Sequence, residues 1–470
     1  MIGSGPAGFY AAGHLLRVSE ERVEVDMFER LPTPWGLVRS GVAPDHPKIK
    51  SVTRMYEKTA AHPRFRYFGN VTFGEHVSRG DLLQHYHAVV YATGSPSDRP
   101  LGIPGEDLPG SHAATEFVGR YNGHPDHSDL EFDLLASTRA VVIGNGNVAL
   151  DVARMLVLTD AELAPTDTAD HALEVLRNSR LREVVVIGRR GPAQAAFTNP
   201  ELLELGELAD ADIVVDEQEL ERALAVEDAK ANADATARKN VEILRGYAKR
   251  EPAGRSRRIV LRFLLSPLEL EADERGHLTA LALVRNELVA SDGALRATPT
   301  AEHERIEAGL AFRAIGYRGI RLPDVPFDER TGVIPNSEGR VLDHDGGQPL
   351  PGEYVVGWIK RGPSGVIGTN KRDAQETVDA ILQDLAPLLD AASSSAMTNG
   401  ASADSAHRPS NADSAAIEVL LRERQPNLVT YSGWEAIDRR ERALGEPAGR
   451  PRVKLTTIEQ LLEAASTEEP

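Results

Sequence analysis

Apolar and polar positions change period several times along the chain, and each change marks an element. Phe9 to Val18 carries apolar residues at helical spacing, and Val23 to Phe28 alternates as a strand ending at Glu29. Ahead of both stands the turn-forming run Gly3-Ser-Gly-Pro-Ala-Gly8. The order reads as strand, turn, helix, strand. Its first strand consists of Met1 and Ile2 alone, where about five or six residues are usual. The expectation is a stunted strand, or a start lying upstream that leaves a targeting segment open. The same order recurs at Val141-Val-Ile-Gly144-Asn-Gly-Asn-Val-Ala149, followed by a helix from Leu150 to Leu158 and the strand Val184 to Ile187. Between that helix and strand lies an acidic insertion, Thr159 to Arg182, with a helical segment of its own. Short apolar strands also end in glycine at Ala88–Gly94, Ala311–Gly316 and Tyr354–Gly357.

Alternation of strands with helices places the chain in the α/β class, with two Rossmann-like dinucleotide-binding domains. From Ala391 to Ala416, 16 of 26 residues are Ala or Ser and none is Val, Ile, Leu or aromatic, so a flexible linker is expected there. Periodicity returns from Ile417 to Leu462 with Tyr431 and Trp434, which predicts a small helical C-terminal appendage over 417–470.

The chain carries 53 Lys and Arg against 71 Asp and Glu, a net charge of −18. That balance argues against coating nucleic acid or an anionic membrane, so any basic surface must be local. The absence of cysteine excludes disulfides, cysteine-ligated zinc or iron–sulfur clusters, a thiol nucleophile and a redox cysteine pair. Electrons, if handled, travel on a borrowed cofactor. No apolar run approaches the roughly 18 residues of a membrane span, no signal precedes the first motif, and no metal site is predicted, so the expected location is cytoplasmic.

The first turn has the Gly-x-Gly-x-x-Gly spacing at Gly3, Gly5 and Gly8, with Pro6 and Ala7 between. Such glycines permit a tight turn and close approach of backbone to a pyrophosphate, and an acid ending the next strand, here Glu29, suits ribose hydroxyls. The second turn, Gly144-Asn145-Gly146-Asn147-Val148-Ala149, differs in that its following strand ends in Gly188-Arg189-Arg190-Gly191. Two guanidiniums where an acid would stand favour a 2′-phosphate, so the pair of sites reads as FAD first and NADP second. The alternative is a solvated arginine pair.

A third element, Gly357-Trp358 through Gly365-Val366-Ile367-Gly368, precedes a helix from about Lys371 to Leu389, whose positive end suits negative charge on a reduced flavin. Trp358 packs by the ring system or simply fills a core. The proline-rich run Pro32 to Pro47 suits a loop wrapping a cofactor, with His46 either near the reacting ring or a surface residue. Asn199-Pro200-Glu201 opens a helix that also contains Glu204, and carboxylates in a first helical turn are ordinary dipole complements.

Between Arg238 and Arg262 stand nine basic residues, among them Lys239, Arg245, Arg257 and Arg258, against two acidic ones. This suits docking of an acidic partner; a solvated face is the alternative, and nucleic acid is disfavoured because Tyr247 is the one interleaved aromatic.

The strings GSGPAGFYAA, PTPWGLVRSGVAPDHPKIK, VVIGNGNVALDVAR, GRRGP and GWIKRGPSGVIGTN together resemble ferredoxin–NADP reductases of the adrenodoxin reductase type, in their bacterial form. The likeness covers about residues 3–390, and the tail resembles the extension of actinobacterial members. It implies a discontinuous FAD-binding domain, 1–98 and 319–390, around an NADP-binding domain, 99–318. It implies FAD contacts from Gly5, Pro6, Ala7, Glu29 and Leu37, with Val71 to Phe73 beside the adenosine, and Trp358 with Gly365, Val366 and Ile367 beside the flavin. For NADP it carries over Arg99, Asn145, Gly146, Asn147, Val148, Arg189, Arg190 and Glu201, and it places His46 and Glu204 near the nicotinamide, assisting proton and hydride handling. The implied activity is hydride transfer from NADPH to FAD, followed by single-electron transfer to an acidic ferredoxin-type iron–sulfur protein. A flavin-dependent monooxygenase is the alternative enzyme, although no FxGxxxH-type motif accompanies the turns. A non-catalytic nucleotide-binding subunit is the alternative if the short first strand abolishes FAD binding.

Overall fold

The computed structural model describes residues 1–19, 23–227, 235–291, 294–394 and 414–466. Two sheets carry the architecture. In the first, strands Val25–Phe28 and Val89–Tyr91 are buried at every position, the signature of a parallel sheet covered on both faces by helices. Strand Phe65–Phe68 pairs in parallel with Val25–Phe28, and strand Pro349–Val355 pairs in parallel with Val89–Tyr91. Arg340–Leu342 and Asn336–Ser337 then add antiparallel edges.

The gap in the middle is filled by Ile2. Its amide donates to Val90 O at 2.8 Å and its carbonyl accepts from Ala92 N at 2.7 Å, while Phe28 N donates to Met1 O and Gly3 N to Phe28 O, both at 2.8 Å. The short first strand is therefore bridged on both sides, to Phe28 and to Tyr91. Helix Pro6–Val18 follows and packs against helix Thr369–Ser394, so that Ala7, Phe9, Ala12 and Leu16 share one core with Val90, Val356, Ala374 and Val378.

The second sheet is six-stranded and wholly parallel, in the order Ser111–Ala113, Leu310–Arg313, Arg139–Ile143, Glu183–Gly188, Arg257–Phe263 and Ala211–Val215. Helix Asn147–Val157 covers one face. The other face is covered by an antiparallel sheet of Leu265–Ala272, Leu278–Ser291 and Ala294–Glu307, whose Leu281 and Leu283 pack with Val141, Val185 and Ile187. The chain passes between the two large sheets twice, through Ser97–Asp98 and Tyr317–Arg318. These two crossings pair with each other as a short antiparallel ribbon.

The helical C-terminal segment is present as Ser414–Arg424, Tyr431–Gly445 and Ile458–Ser466. It is not peripheral: Trp434, Ile437 and Leu461 are buried in the same core as Trp35 and Tyr67. Most of the expected linker lies outside the described residues. Its first four positions, 391–394, continue helix Thr369–Ser394, and 414–416 begin helix Ser414–Arg424.

One buried charge anchors the first sheet. Glu353, 1% exposed, accepts from Arg79 Nε at 2.8 Å and from the Tyr91 hydroxyl at 2.8 Å. Removing one member of a buried ion pair strands the other, at a cost of about 3 kcal/mol. Glu353→Ala is therefore expected to lower the unfolding free energy by about that amount in chemical denaturation, with Glu353→Gln losing less because the amide oxygen still accepts.

Candidate active site

The first glycine turn is built for a ligand that approaches backbone. Gly3 sits at φ +100°, and a Cβ there would stand 2.6 Å from Ala92 O; a Cβ on Gly8 would stand 2.5 Å from Gly3 O. These two glycines serve packing between turn, strand and helix. Gly5 is different: a Cβ on it would meet nothing within 4 Å, although it is the N-cap of helix Pro6–Val18. The free face of Gly5 together with the helix N-terminus is a cradle that fits a diphosphate.

Glu29 closes the cradle. Its Oε2 accepts from Ser4 N at 3.0 Å and Ser4 Oγ at 2.6 Å, and its Oε1 accepts from Leu31 N at 3.2 Å. Val71 N donates to Glu29 O at 2.8 Å, which holds the buried Val71 beside the acid, and Phe73 lies edge-on to Tyr91. Trp35 N donates to Ser4 O at 3.0 Å, and Trp35 and Gly36 both take positive φ, folding helix Leu37–Ser40 against the turn. The indole Nε1 of Trp35 is buried without a partner.

The third glycine element closes onto the same turn. A Cβ on Gly357 would stand 2.6 Å from Ala7 Cβ, and Gly357 N donates to Asp373 Oδ2 at 2.6 Å. Trp358 is not a core residue: it is half-buried, stacks at a tilt on Tyr317 at 5.3 Å and donates from Nε1 to Ser364 O. Gly365 and Val366 are exposed, and Ile367 is half-buried against the core that contains Ala7.

In the second turn, a Cβ on Gly144 would stand 2.2 Å from Ala314 O, whereas one on Gly146, the N-cap of helix Asn147–Val157, would find only Ala196 Cβ at 4.0 Å. Again one glycine packs and one opens a helix N-terminus. Asn145 Nδ2 is buried without a partner, and Asn147 Oδ1 accepts from Thr198 N. Val148 is half-buried beside them. Arg189 is exposed beside Arg190, and burial together with the Arg189 charge pushes the Arg190 guanidinium below its usual range. Two neighbouring cations at this strand end fit a phosphate. Arg99 lies at the crossing ribbon, its Nε donating to Tyr317 O at 3.1 Å.

Between the two turns lies a cluster of opposed charges. His46 Nε2 stands 2.7 Å from Glu204 Oε2 and 3.8 Å from Glu201 Oε2, without the alignment of a formed hydrogen bond. Arg154, 3% exposed within helix Asn147–Val157, donates to both oxygens of Asp45 at 2.6 and 3.1 Å and to Asp151 at 2.8 Å, with Glu201 at 3.6 Å. Burial, and then the Asp151 charge, push the Glu201 carboxyl up to about 7, against the pull of His46 and Arg154. Burial and Asp151 likewise raise the Tyr317 phenol, which ties this cluster to Trp358. Ligand atoms of His46, Glu201 and Glu204 lie within 4.8 Å of one another, a spacing that also suits a cation, but the guanidinium beside Glu201 disfavours one.

The sequence singled out His46, Glu201 and Glu204 and missed Asp45, Asp151, Arg154 and Tyr317. Asp151 and Arg154 had a signal, the two charges inside the otherwise apolar run Leu150–Val157. Tyr317 had none.

The basic run is not one surface. Arg238 and Lys239 are exposed near the start of helix Ala235–Ala248, where Asn199 Nδ2 donates to Thr236 O, beside the helix that carries Glu201 and Glu204. Arg257 and Arg258 begin strand Arg257–Phe263, at the opposite edge of the sheet from Gly144 and Gly188. A strand of that length spans roughly 20 Å. Arg258 is paired with Glu183 and Arg245 with Glu221, while Arg257 donates to Leu158 O. The expectation of a single docking patch is corrected on these grounds.

These two glycine turns and the cluster between them define a pyridine-nucleotide oxidoreductase. The model of the pyridine nucleotide-disulphide oxidoreductase family matches residues 1–191, although a chain without cysteine performs no disulphide chemistry of its own. NADPH-ferredoxin reductase FprA of Mycobacterium tuberculosis (strain ATCC 25618 / H37Rv) is 52% identical over 470 residues, covering 98% of this chain and 97% of the relative. The mitochondrial NADPH:adrenodoxin oxidoreductase of Arabidopsis thaliana is 42% identical, covering 99% and 95%. The solved structure of Mycobacterium tuberculosis FprA in complex with NADPH superposes with a TM-score of 0.89 at 51% identity, covering 99% and 98%. The chain belongs to the ferredoxin–NADP reductase family of the adrenodoxin reductase type.

Glu201 has a titration that can be read directly. Folded Glu201 holds its proton up to about 7, whereas the unfolded carboxyl releases it near 4.5, so folding binds a proton in that window and stability falls as pH rises through it. Infrared difference titration is expected to show a protonated-carboxyl band lost near pH 7, absent in Glu201→Gln, and the variant's stability should lose that segment of pH slope.

Proposed function

We propose that the chain passes electrons from NADPH through FAD to a ferredoxin-type iron–sulfur protein. The observation that carries this reading is the contrast between two open helix N-termini: the one at Gly5 is closed by the acid Glu29, whereas the strand beside the turn of Gly146 leads into the cations Arg189 and Arg190. An acid-ended site takes unphosphorylated ribose and an arginine-ended site takes the 2′-phosphate. Residues 1–98 and 319–390 then hold FAD and residues 99–318 hold NADPH, and the paired crossings Ser97–Asp98 and Tyr317–Arg318 join the two units. The relatives named for NADPH and ferredoxin, or for adrenodoxin, support the same assignment.

The chemistry that FAD would supply when bound in this cleft is acceptance of a hydride and return of its electrons singly, which a pyridine nucleotide cannot do. The chain's own part is positional and electrostatic. Gly5, Pro6, Ala7 and Gly8 present the helix N-terminus, and Leu37, Val71 and Phe73 flank the adenosine side. Trp358 and Gly365 to Ile367 line the ring side. Arg99, Asn145 to Val148, Arg189, Arg190 and Glu201 receive NADPH. His46 and Glu204 face each other at 2.7 Å on the side of the reacting rings, and Glu201, its carboxyl raised to about 7 by burial and Asp151, is suited to exchange a proton near neutral pH. We place the partner at the Arg238–Lys239 end of the basic run, because that end shares an edge with the reacting cluster.

Purified protein is expected to show an oxidised flavin spectrum that NADPH bleaches, and to reduce cytochrome c when a ferredoxin is added; rapid oxidation of NADPH by oxygen with hydroxylated product would instead mark a monooxygenase. Replacing Arg189 and Arg190 together by Ala should raise the KM for NADPH about tenfold or more and leave that for NADH nearly unchanged, in keeping with the loss of charge-assisted phosphate bonds. At low salt, Arg238→Glu with Lys239→Glu should slow ferredoxin reduction, whereas Arg257→Glu with Arg258→Glu should not.

A further inference from the structure

Lys454 is almost fully buried, yet it belongs to the C-terminal segment, outside both dinucleotide folds. Its Nζ donates to Arg39 O at 3.1 Å and to Asn122 Oδ1 at 3.1 Å, and lies 3.3 Å from Asp167 Oδ2. Arg39 stands on the loop that follows the first glycine turn; Asn122 and Asp167 belong to the unit around the second. One ammonium therefore joins both. Asp167 also accepts from Lys50 Nζ at 2.6 and 2.9 Å, and the two lysines hold its carboxyl far below the usual range.

Neighbouring tail residues repeat the arrangement on each side. Toward the first unit, Glu441, 0% exposed, accepts both Arg39 nitrogens at 2.9 and 2.5 Å and Leu455 N at 2.9 Å, while Trp434 meets Trp35 edge-on at 4.9 Å and lies under the Arg39 guanidinium. Toward the second unit, Arg450 donates to Asp170 Oδ1 at 2.5 Å and Thr166 O at 3.0 Å, and also to Thr168 O. Buried charges this costly to desolvate persist only where every partner is fixed. The loop they fix, Trp35 to Lys50, carries Leu37, Asp45 and His46.

We propose that the segment from Thr430 to Leu461 is a clasp that sets the angle between the two nucleotide units, with Lys454 as the positioning residue at its centre. The consequence for the reaction rests on the reading that these units hold FAD and NADPH. Hydride transfer requires the two rings at contact distance, and a shift of about 1 Å costs on the order of a hundredfold in rate. The clasp acts through Arg39 and Asp167.

The chain has no cysteine, so two can be introduced as unique labels. Lys58→Cys on the first unit and Glu174→Cys on the second, both exposed, carry spin labels whose separation reports the angle. In FAD-replete Lys454→Met, the distance distribution is expected to broaden and NADPH-driven flavin bleaching to slow at least tenfold, with flavin content and the oxidised spectrum unchanged. Arg450→Ala, at the rim, should give a smaller change in the same direction, two- to threefold, and decides the matter if Lys454→Met does not fold. An unchanged distance and bleaching rate in a folded variant would overturn the clasp. Loss of FAD with an unchanged distance would also overturn it, since the tail would then only support the flavin side. Should NADPH fail to bleach even the parent protein, the proposed function falls, while the label distance still judges the clasp.

Discussion

A helix N-terminus can hold a diphosphate only where no Cβ stands between its amides and the ligand, and the position of the rest of the molecule follows from that constraint. Gly5 and Gly146 leave such space; Gly3, Gly8 and Gly144 instead let strand and helix close to within contact behind it. The packing glycines make the cradle rigid, and the open ones make it useful. Because both turns sit at the C-terminal ends of parallel strands, both cradles face out of their sheets on the same kind of edge. The crossing ribbon and the Tyr317–Trp358 contact then bring those edges together.

The turns, their helices and the strand-end residues were legible because they depend on local spacing, and local spacing is written in order along the chain. Helix Pro6–Val18 starts a turn earlier than the apolar pattern suggests, since Pro6 at N1 fits a helix without adding to its apolar face. The pairing of the two-residue first strand is not local: Ile2 is bridged by residues far along the chain, at Phe28 and Tyr91. The antiparallel sheet over Leu265–Glu307 was missed despite alternation at Leu278-Thr-Ala-Leu-Ala-Leu, because its role, to cover one face of the second sheet, appears only once that sheet is assembled. The basic run misled for the opposite reason. One basic run in the sequence is divided between two elements, so that Lys239 lies near the start of helix Ala235–Ala248 and Arg258 at the start of strand Arg257–Phe263.

Charge inside the protein follows a common rule. Glu353, Arg154, Glu441, Lys454 and Asp167 are each nearly inaccessible, and each meets at least two opposed or hydrogen-bonding partners contributed by distant segments. Low-dielectric surroundings make such groups costly when unmatched and exacting about geometry when matched. Glu201 departs from the rule. It is buried near Asp151 with no formed hydrogen bond at Oε2, and its proton affinity rises accordingly. A structural carboxylate would have been paired; one left half-matched beside His46 is suited to exchanging a proton.

The absence of cysteine and the charge distribution bear on one another. The proposed electron transfer uses no thiol of this chain, in keeping with a docking place at the edge where the two cradles meet. With a net charge of −18, a local group of exposed cations is where the proposed docking of an acidic partner meets least repulsion. Arg258 at the far edge is paired with Glu183, and Arg245, further along the helix that carries Lys239, with Glu221. Arg238 and Lys239 are exposed, Lys239 within reach of Glu242, so the open glycines and this helix start together mark the edge proposed to receive ligands.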